Sequence, residues 1–187
     1  NTWGLGFTEE FDVFASTANN THSVFFGVPK RVLKNGYPEK LGTEKIDAHY
    51  AMHVVTKNLR QVDVFGGFTA AAGQSIYTAR NYPSEFWNKV ALVCEPTGRL
   101  IHKNFIEQVG SGFKEKGDGW NLVASADEWF GPIQSEVGPD GNVWITDWYD
   151  FIIQHNPTPK GFDNGKGNAH INPLRDHERG RIYRLVY

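Results

Sequence analysis

The chain has 187 residues, of which 14% are aromatic and 20 are glycine, and its formal net charge is −2. This length is enough for one domain with a hydrophobic core. The slightly acidic balance argues against a nucleic-acid partner, because phosphate binding needs a basic face. No apolar run approaches the roughly 20 residues that a membrane-spanning helix needs.

The first predicted element is a hairpin over residues 6–17, whose second strand begins at Val13. Residues 57–64 are a weaker strand prediction. Residues 73–78 and 90–95 predict the next two strands, with a short helical turn over 84–88 between them. Cys94 is the only cysteine, so no disulfide framework is expected, and its apolar neighbours indicate a buried small side chain.

The clearest hairpin covers residues 135–150. Its turn is Pro139-Asp140-Gly141, in which proline presets φ, aspartate bonds its own backbone and glycine accepts positive φ. The β-rich run 143–146 follows and ends in Asp147-Trp148-Tyr149-Asp150. Residues 156–180 are predicted as a long loop, of the kind that is functional or disordered, and residues 180–186 as a final strand.

These hairpins repeat along the chain. The run from Val13 aligns with the run from Val143, an offset of 143 − 13 = 130 residues. Taken with the strands over 73–78 and 90–95, the pattern predicts an all-β protein with about three antiparallel, four-stranded units of unequal length, separated by large loops. A β-propeller is built from such units. An ordinary antiparallel sandwich is the alternative, because its hairpins use the same turns.

Several motifs together resemble the β-propeller domain of large bacterial membrane-bound dehydrogenases, also called haem-binding-domain proteins. They lie at residues 66–80, 93–98, 136–141, 147–149, 153–157, 165–168 and 180–184. That domain is similar to the six-bladed propeller of quinoprotein glucose and sorbosone dehydrogenases. The resemblance implies that residues 1–187 are part of a larger propeller. The mass of the native polypeptide is the most direct test of this expectation. It also implies missing blades or a haem domain as partners, and a periplasmic, extracellular or membrane-associated location.

The resemblance further implies pyrroloquinoline quinone and Ca²⁺ as cofactors. Glu136, Asp147 and Asp150 are the candidate Ca²⁺ ligands, since this hard ion binds several oxygens. The other interpretation of Asp147 is a turn cap that accepts backbone N–H bonds. His155 is the candidate general base, because histidine titrates in the useful range; its alternative role is to stabilise the Asn156-Pro157 turn.

Arginines are candidates for binding the carboxylates of the quinone, since a guanidinium bonds a carboxylate bidentately. The candidate quinone-binding residues are Arg60, Arg80 and Arg181. Solvent-exposed surface positions are the alternative, and Arg181 and Arg184 fall on opposite faces of one strand.

His49 and His53 are four residues apart, a spacing that suits a metal on one face of a helix. No helix is predicted there and only Asp47 could complete the set, so a structural role is favoured. Trp129, Trp144, Trp148 and Tyr149 are expected to pack between the units, although exposed rings can also stack on sugars.

Two classes of function follow. The first is a propeller that oxidises a sugar or related alcohol with a quinone and Ca²⁺. The second is a non-catalytic propeller that binds a carbohydrate or a protein, or that serves as a scaffold for a neighbouring haem domain, because fold does not fix function.

Overall fold

A computed structural model gives the structure of the protein and describes residues 2–19, 21–27, 43–49, 51–61, 64–117, 119–154 and 178–187. These residues form β-strands joined by turns and loops, with no helix among them. The strands are β1 (Thr2–Phe7), β2 (Val13–Thr17), β3 (Val24–Phe25), β4 (Glu44–Lys45), β5 (Ala72–Ile76), β6 (Val90–Glu95), β7 (Leu100–Val109), β8 (Gly112–Lys116), β9 (Asn121–Ala124), β10 (Pro132–Val137), β11 (Val143–Asp147) and β12 (Arg181–Leu185).

The strands form three antiparallel sheets that follow one another along the chain. The first sheet has the order β1-β2-β3-β4 and the third has the order β10-β11-β12. The central sheet has the order β5-β6-β7-β8, and β9 also pairs with β7. The first and third sheets and the β5-β6-β7-β8 part of the central sheet are therefore up-and-down meanders. The described residues give four, five and three strands where the sequence predicted four in each unit.

The predicted hairpins are confirmed. β10 and β11 pair from Pro132↔Asp147 to Val137↔Val143. Gly141 has φ +73° at the turn, a conformation that glycine adopts without a steric penalty. Val13 and Val143 each begin the second strand of a sheet, so the aligned runs hold equivalent positions in the first and third sheets.

The first strands of the three sheets lie side by side. β5 contacts β1 on one side and β10 on the other. Gly73 allows the second approach, since a Cβ at this residue would lie 2.5 Å from both the Gln134 Cα and the Ile133 carbonyl oxygen. Successive meanders whose first strands meet in this way are the blades of a partial β-propeller, which confirms the predicted fold class.

Within the central sheet, the strand β6 is buried on both faces. All six residues of β6 are buried. One hydrophobic cluster, which includes Leu92, Cys94 and Ile145, lies between the central and third sheets. A second, which includes Phe14, Phe25 and Ala91, lies between the central and first sheets. The burial of Cys94 confirms its predicted role as a small core residue.

Two connecting segments differ from what the sequence predicted. The described part of 57–64, residues 57–61 and 64, forms no strand. Gln61 is occupied otherwise, since its side-chain amide donates to the Gly67 carbonyl oxygen at 2.7 Å and accepts from the Gly66 N–H at 2.7 Å. The segment after Pro83 is a pair of successive turns, closed by the Phe86 N–H on the Pro83 carbonyl and the Lys89 N–H on the Phe86 carbonyl.

Within the described ranges, no helix has the length and apolar character needed to cross a membrane. Most of the predicted long loop, residues 156–177, lies outside the described residues.

Candidate metal centre

The structure does not bring all three predicted quinone-site arginines together. Arg60 pairs with Glu128 through its Nε at 2.7 Å. Arg80 pairs with Glu9 at 2.8 Å on another part of the surface. The guanidinium of Arg181 lies over the Tyr149 ring, 3.4 Å from its centroid. The predicted base, His155, lies outside the described residues.

Two of the three predicted Ca²⁺ ligands, Glu136 and Asp147, lie at different ends of one strand pair. Glu136 lies opposite Trp144 in the β10–β11 pair, whereas Asp147 lies opposite Pro132 at the other end of it. The Asp147 Oδ1 accepts the backbone N–H groups of Gly131 and Tyr149, both at 2.7 Å, which is the turn-capping geometry. The Asp150 Oδ1 accepts the Ile152 N–H at 2.9 Å.

Trp129 and Tyr149 form part of a group of packed rings. The Trp129 ring centroid lies 5.9 Å from that of Tyr149 and 5.5 Å from that of Phe151. Arg60 covers the Phe151 ring at 4.4 Å. Two of the predicted arginines, Arg60 and Arg181, therefore contact rings of this group.

A different set of residues converges between the first and central sheets. His22 lies in the β2–β3 connection and His49 in the segment after β4, whereas His102 belongs to β7 and Glu115 to β8. One ligand atom from each of the four lies within 4.8 Å of all the others. We call these four residues the His₃Glu cluster.

The Glu115 carboxylate is the meeting point of the cluster. The His102 Nε2 lies 2.9 Å from Glu115 Oε1 and the His49 Nε2 lies 3.5 Å from the same oxygen. The His22 Nε2 lies 3.3 Å from Glu115 Oε2. Three imidazoles thus present their Nε2 atoms to one carboxylate.

The cluster is enclosed by protein. The side chains of His22 and Glu115 are fully buried, that of His102 is 2% exposed, and that of His49 is 27% exposed. The Phe68 ring packs against His22, with 4.6 Å between their centroids, and against His102 at 5.4 Å. Solvent therefore reaches the group from the side of His49.

The backbone orients two members of the cluster. The His49 Nδ1 lies 2.7 Å from the Ala51 carbonyl oxygen. A proton on that Nδ1 leaves the Nε2 lone pair directed at the cluster, which is the usual arrangement of a metal-binding histidine. The Glu115 Oε2 accepts the backbone N–H of Ala48, so the chain on either side of His49 is fixed to the cluster.

The pKa shifts of Glu115 and His102 favour the forms that bind metals, whereas the pKa shift of His49 favours its protonated form. Burial opposes the charge of Glu115, but the imidazoles of His102, His22 and His49 outweigh it and hold the pKa of the Glu115 carboxyl well below its usual range. Burial lowers the pKa of His102 to about 4. The hydrogen bond to Glu115 raises the pKa of His49. A carboxylate and neutral imidazoles are the forms that bind metals.

Some polar atoms of the cluster lack protein partners with hydrogen-bond geometry. They are both ring nitrogens of His22 and the Nδ1 of His102. Buried polar groups are normally hydrogen-bonded, so such atoms call for a water or an ion as partner. A metal bound at the Nε2 atoms would supply the partner for the His22 Nε2.

Sequence reasoning singled out His49 but paired it with His53 and Asp47. The structure places the His53 ring 5.5 Å from that of His49, outside the converging set, and Asp47 accepts a hydrogen bond from the Thr21 hydroxyl. For His102, the sequence feature that could have indicated a buried position is that it directly follows the apolar residues Leu100 and Ile101. The four ligands follow no motif spacing, because they come from four separate segments.

A model of the family described as a domain of unknown function (DUF7133) matches residues 1–187. No curated protein sequence matches the chain. Among solved structures, the chain is similar to a Thermus thermophilus protein provisionally named as an oxidoreductase (glucose dehydrogenase), with 14% identity and a TM-score of 0.48. The match covers 98% of this chain and 44% of that one, so this chain spans less than half of that protein's length.

Proposed function

The chain belongs to the family described as a domain of unknown function (DUF7133), and we propose that its His₃Glu cluster is a binding site for a first-row transition-metal ion. The observation that carries this proposal is the convergence of His22, His49 and His102 on the Glu115 carboxylate in a buried position.

The donor set selects the class of metal. Imidazole suits Zn²⁺, Cu²⁺, Fe²⁺ and Ni²⁺, whereas Ca²⁺ and Mg²⁺ bind sets of oxygen atoms. Three nitrogens and one carboxylate oxygen therefore favour a transition metal. Zn²⁺ accepts such a set in tetrahedral geometry, with Zn–N distances of about 2.0–2.1 Å.

A titration with Co²⁺ tests metal binding directly. The apoprotein is expected to bind one equivalent and to develop the visible absorption of four-coordinate Co²⁺. His22→Ala is expected to weaken binding by more than about 100-fold, beyond the loss typical of outer-shell partners. His53→Ala is the matched control, because His53 adjoins His49 without joining the cluster. Stoichiometric binding that survives both His22→Ala and Glu115→Gln in folded protein would overturn the proposal.

A finer proposal concerns the whole protein. The motifs that resemble membrane-bound dehydrogenases support a propeller that oxidises a sugar or related alcohol with pyrroloquinoline quinone and Ca²⁺. The separation of Glu136 from Asp147 in the β10–β11 hairpin means that a Ca²⁺ site would need ligands beyond these two. Full-length protein reconstituted with quinone and Ca²⁺ is expected to reduce a dye when sugar is added. Failure to bind either cofactor would instead favour a carbohydrate- or protein-binding propeller, or a scaffold for a haem domain.

Exposed apolar side chains on the two outermost sheets support the proposal that further blades pack against them. On β1, Gly6 faces β5, while Trp3, Leu5 and Phe7 point away from it and are about half exposed or more. The third sheet exposes Trp144 and Ile182. Apolar strand faces of this kind are normally covered. A native polypeptide mass well above 21.1 kDa is the expected result, and a stable native monomer of that mass would contradict this proposal.

A further inference from the structure

The ligands of the His₃Glu cluster come from both sides of one interface. His22 and His49 belong to connections of the first sheet, and His102 and Glu115 belong to strands of the central sheet. An ion held by all four would therefore add a direct link between two sheets that are also joined by packing, by hydrogen bonds and by the Arg80–Glu9 ion pair.

β8 is the strand through which the central sheet meets the first sheet at this point. The Glu115 N–H donates to the Ile46 carbonyl oxygen at 2.8 Å. Phe113 packs edge-on against Phe14 and Phe25, with ring centroids 5.1 and 4.8 Å apart. Apolar packing thus holds one end of this contact, and the His₃Glu cluster lies at the other end.

The cluster end of the interface contains buried polar atoms without hydrogen-bond partners. They include both nitrogens of His22 and the Nδ1 of His102. Asn104 lies two residues beyond His102 on β7, and both of its side-chain polar atoms lack partners as well. Burying such groups unpaired opposes association of the sheets. An ion at the Nε2 atoms would give the His22 Nε2 a partner and would in that way stabilise the docked state.

The enclosure of the cluster distinguishes a structural ion from a catalytic one. Structural zinc sites use four protein ligands, whereas catalytic sites keep one position for water or substrate. Here four protein ligands converge, and only the His49 side chain, at 27%, has more than slight exposure. The group therefore has the ligand number and burial of a closed site.

We propose that a four-coordinate Zn²⁺ ion in the His₃Glu cluster cross-links the first and central sheets and controls the docking of residues 43–49 onto β8. This inference rests on the proposed metal-binding function and adds its role. Metal removal loosens that interface, while the contact between the central and third sheets stays as it is.

The test compares apo and Zn²⁺-loaded forms of the unaltered chain, so no variant needs to fold. Zn²⁺ at about 1,000 times its Kd is expected to raise the Tm of the native polypeptide by several degrees. Hydrogen exchange is expected to slow in segments 43–49 and 112–116. The β10–β11 hairpin, which has no ligand of the cluster, is the internal control and is expected to exchange at the same rate in both forms.

Azide added to the Co²⁺ form tests the closed coordination. No change in the absorption spectrum is expected, because all four positions are protein ligands. A spectral change on azide addition, or Co²⁺ binding without slower exchange in 43–49 and 112–116, overturns the cross-link while metal binding itself stands. Absence of any bound Co²⁺ overturns metal binding and the cross-link together.

Discussion

At the scale of single residues, burial decides the chemistry of Cys94. Its side chain is fully buried in β6, and burial raises the pKa of the thiol to about 12. The thiolate is the reactive form, so the native protein is expected to give no reaction with a thiol reagent at pH 8. One thiol per chain is expected to react in denaturant. Rapid labelling of the native protein at that pH would contradict the position of β6 in the core.

Glu95 is a buried carboxylate with a structural role. Its Oε2 accepts the backbone N–H groups of Thr69 and Ala70 at 3.0 and 2.9 Å. Its Oε1 accepts the Thr97 N–H at 3.2 Å. In Glu95→Gln, the side-chain NH₂ group would face backbone N–H groups that now donate to the carboxylate. The substitution is therefore expected to lower the free energy of unfolding by about 2–4 kcal/mol.

Urea denaturation measures this loss, and Glu136→Gln serves as the control. The Glu136 residue is exposed, so its substitution is expected to change stability by less than about 0.5 kcal/mol. Equal effects of the two substitutions would show that the Glu95 hydrogen bonds do not stabilise the loop over 69–70.

Single residues also show where sequence reasoning stops. Glu115 stands between Lys114 and Lys116, a pattern typical of a solvated strand, yet the alternation of β8 turns Glu115 inward and both lysines outward. The carboxylate is stable there because three imidazoles from residues 22, 49 and 102 surround it. That environment depends on how two sheets meet, which no local pattern encodes.

At the scale of elements, Gly73 sets the approach of the central sheet to the third. It has φ +55°, and an added Cβ would meet backbone atoms of Ile133 and Gln134 at 2.5 Å. Backbone atoms cannot move aside as a flexible side chain can. Gly73→Ala is therefore expected to destabilise the protein by roughly 3 kcal/mol or more, since overpacking adds to the strain of positive φ.

Gly66→Ala is the matched control for this prediction. Gly66 has φ +80° with no atom within 4 Å of an added Cβ, so only the backbone strain of about 1 kcal/mol is expected. The free energies of unfolding of the two variants give the comparison. A Gly73→Ala loss no larger than that of Gly66→Ala would contradict the close packing of β5 on β10.

The elements themselves could largely be predicted, because hairpins depend on local chemistry. Pro139-Asp140-Gly141 defines the β10–β11 turn, and the alternation of β11 buries Val143, Ile145 and Asp147. The weaker strand was predicted over 57–64, but its described residues form no strand, and the Gln61 side chain bonds the backbone of Gly66 and Gly67 instead. Side-chain bonds of this kind leave no periodic signal.

At the scale of the whole molecule, three sheets pack around adjoining first strands and present apolar faces at both ends of the stack. The interfaces between them differ in character. The one between the central and third sheets is a continuous apolar cluster that includes Leu92 and Val143. The one between the first and central sheets combines an apolar cluster around Phe14 with the His₃Glu cluster. The proposed metal site therefore belongs to one interface within the propeller.

Anomalous diffraction at the zinc absorption edge, from crystals of the Zn²⁺-loaded chain, tests metal binding at the His₃Glu cluster most directly. The predicted result is a single strong peak about 2.0–2.2 Å from the Nε2 atoms of His22, His49 and His102 and from a Glu115 carboxylate oxygen. Crystals that contain zinc but show no peak among these four residues would contradict the account.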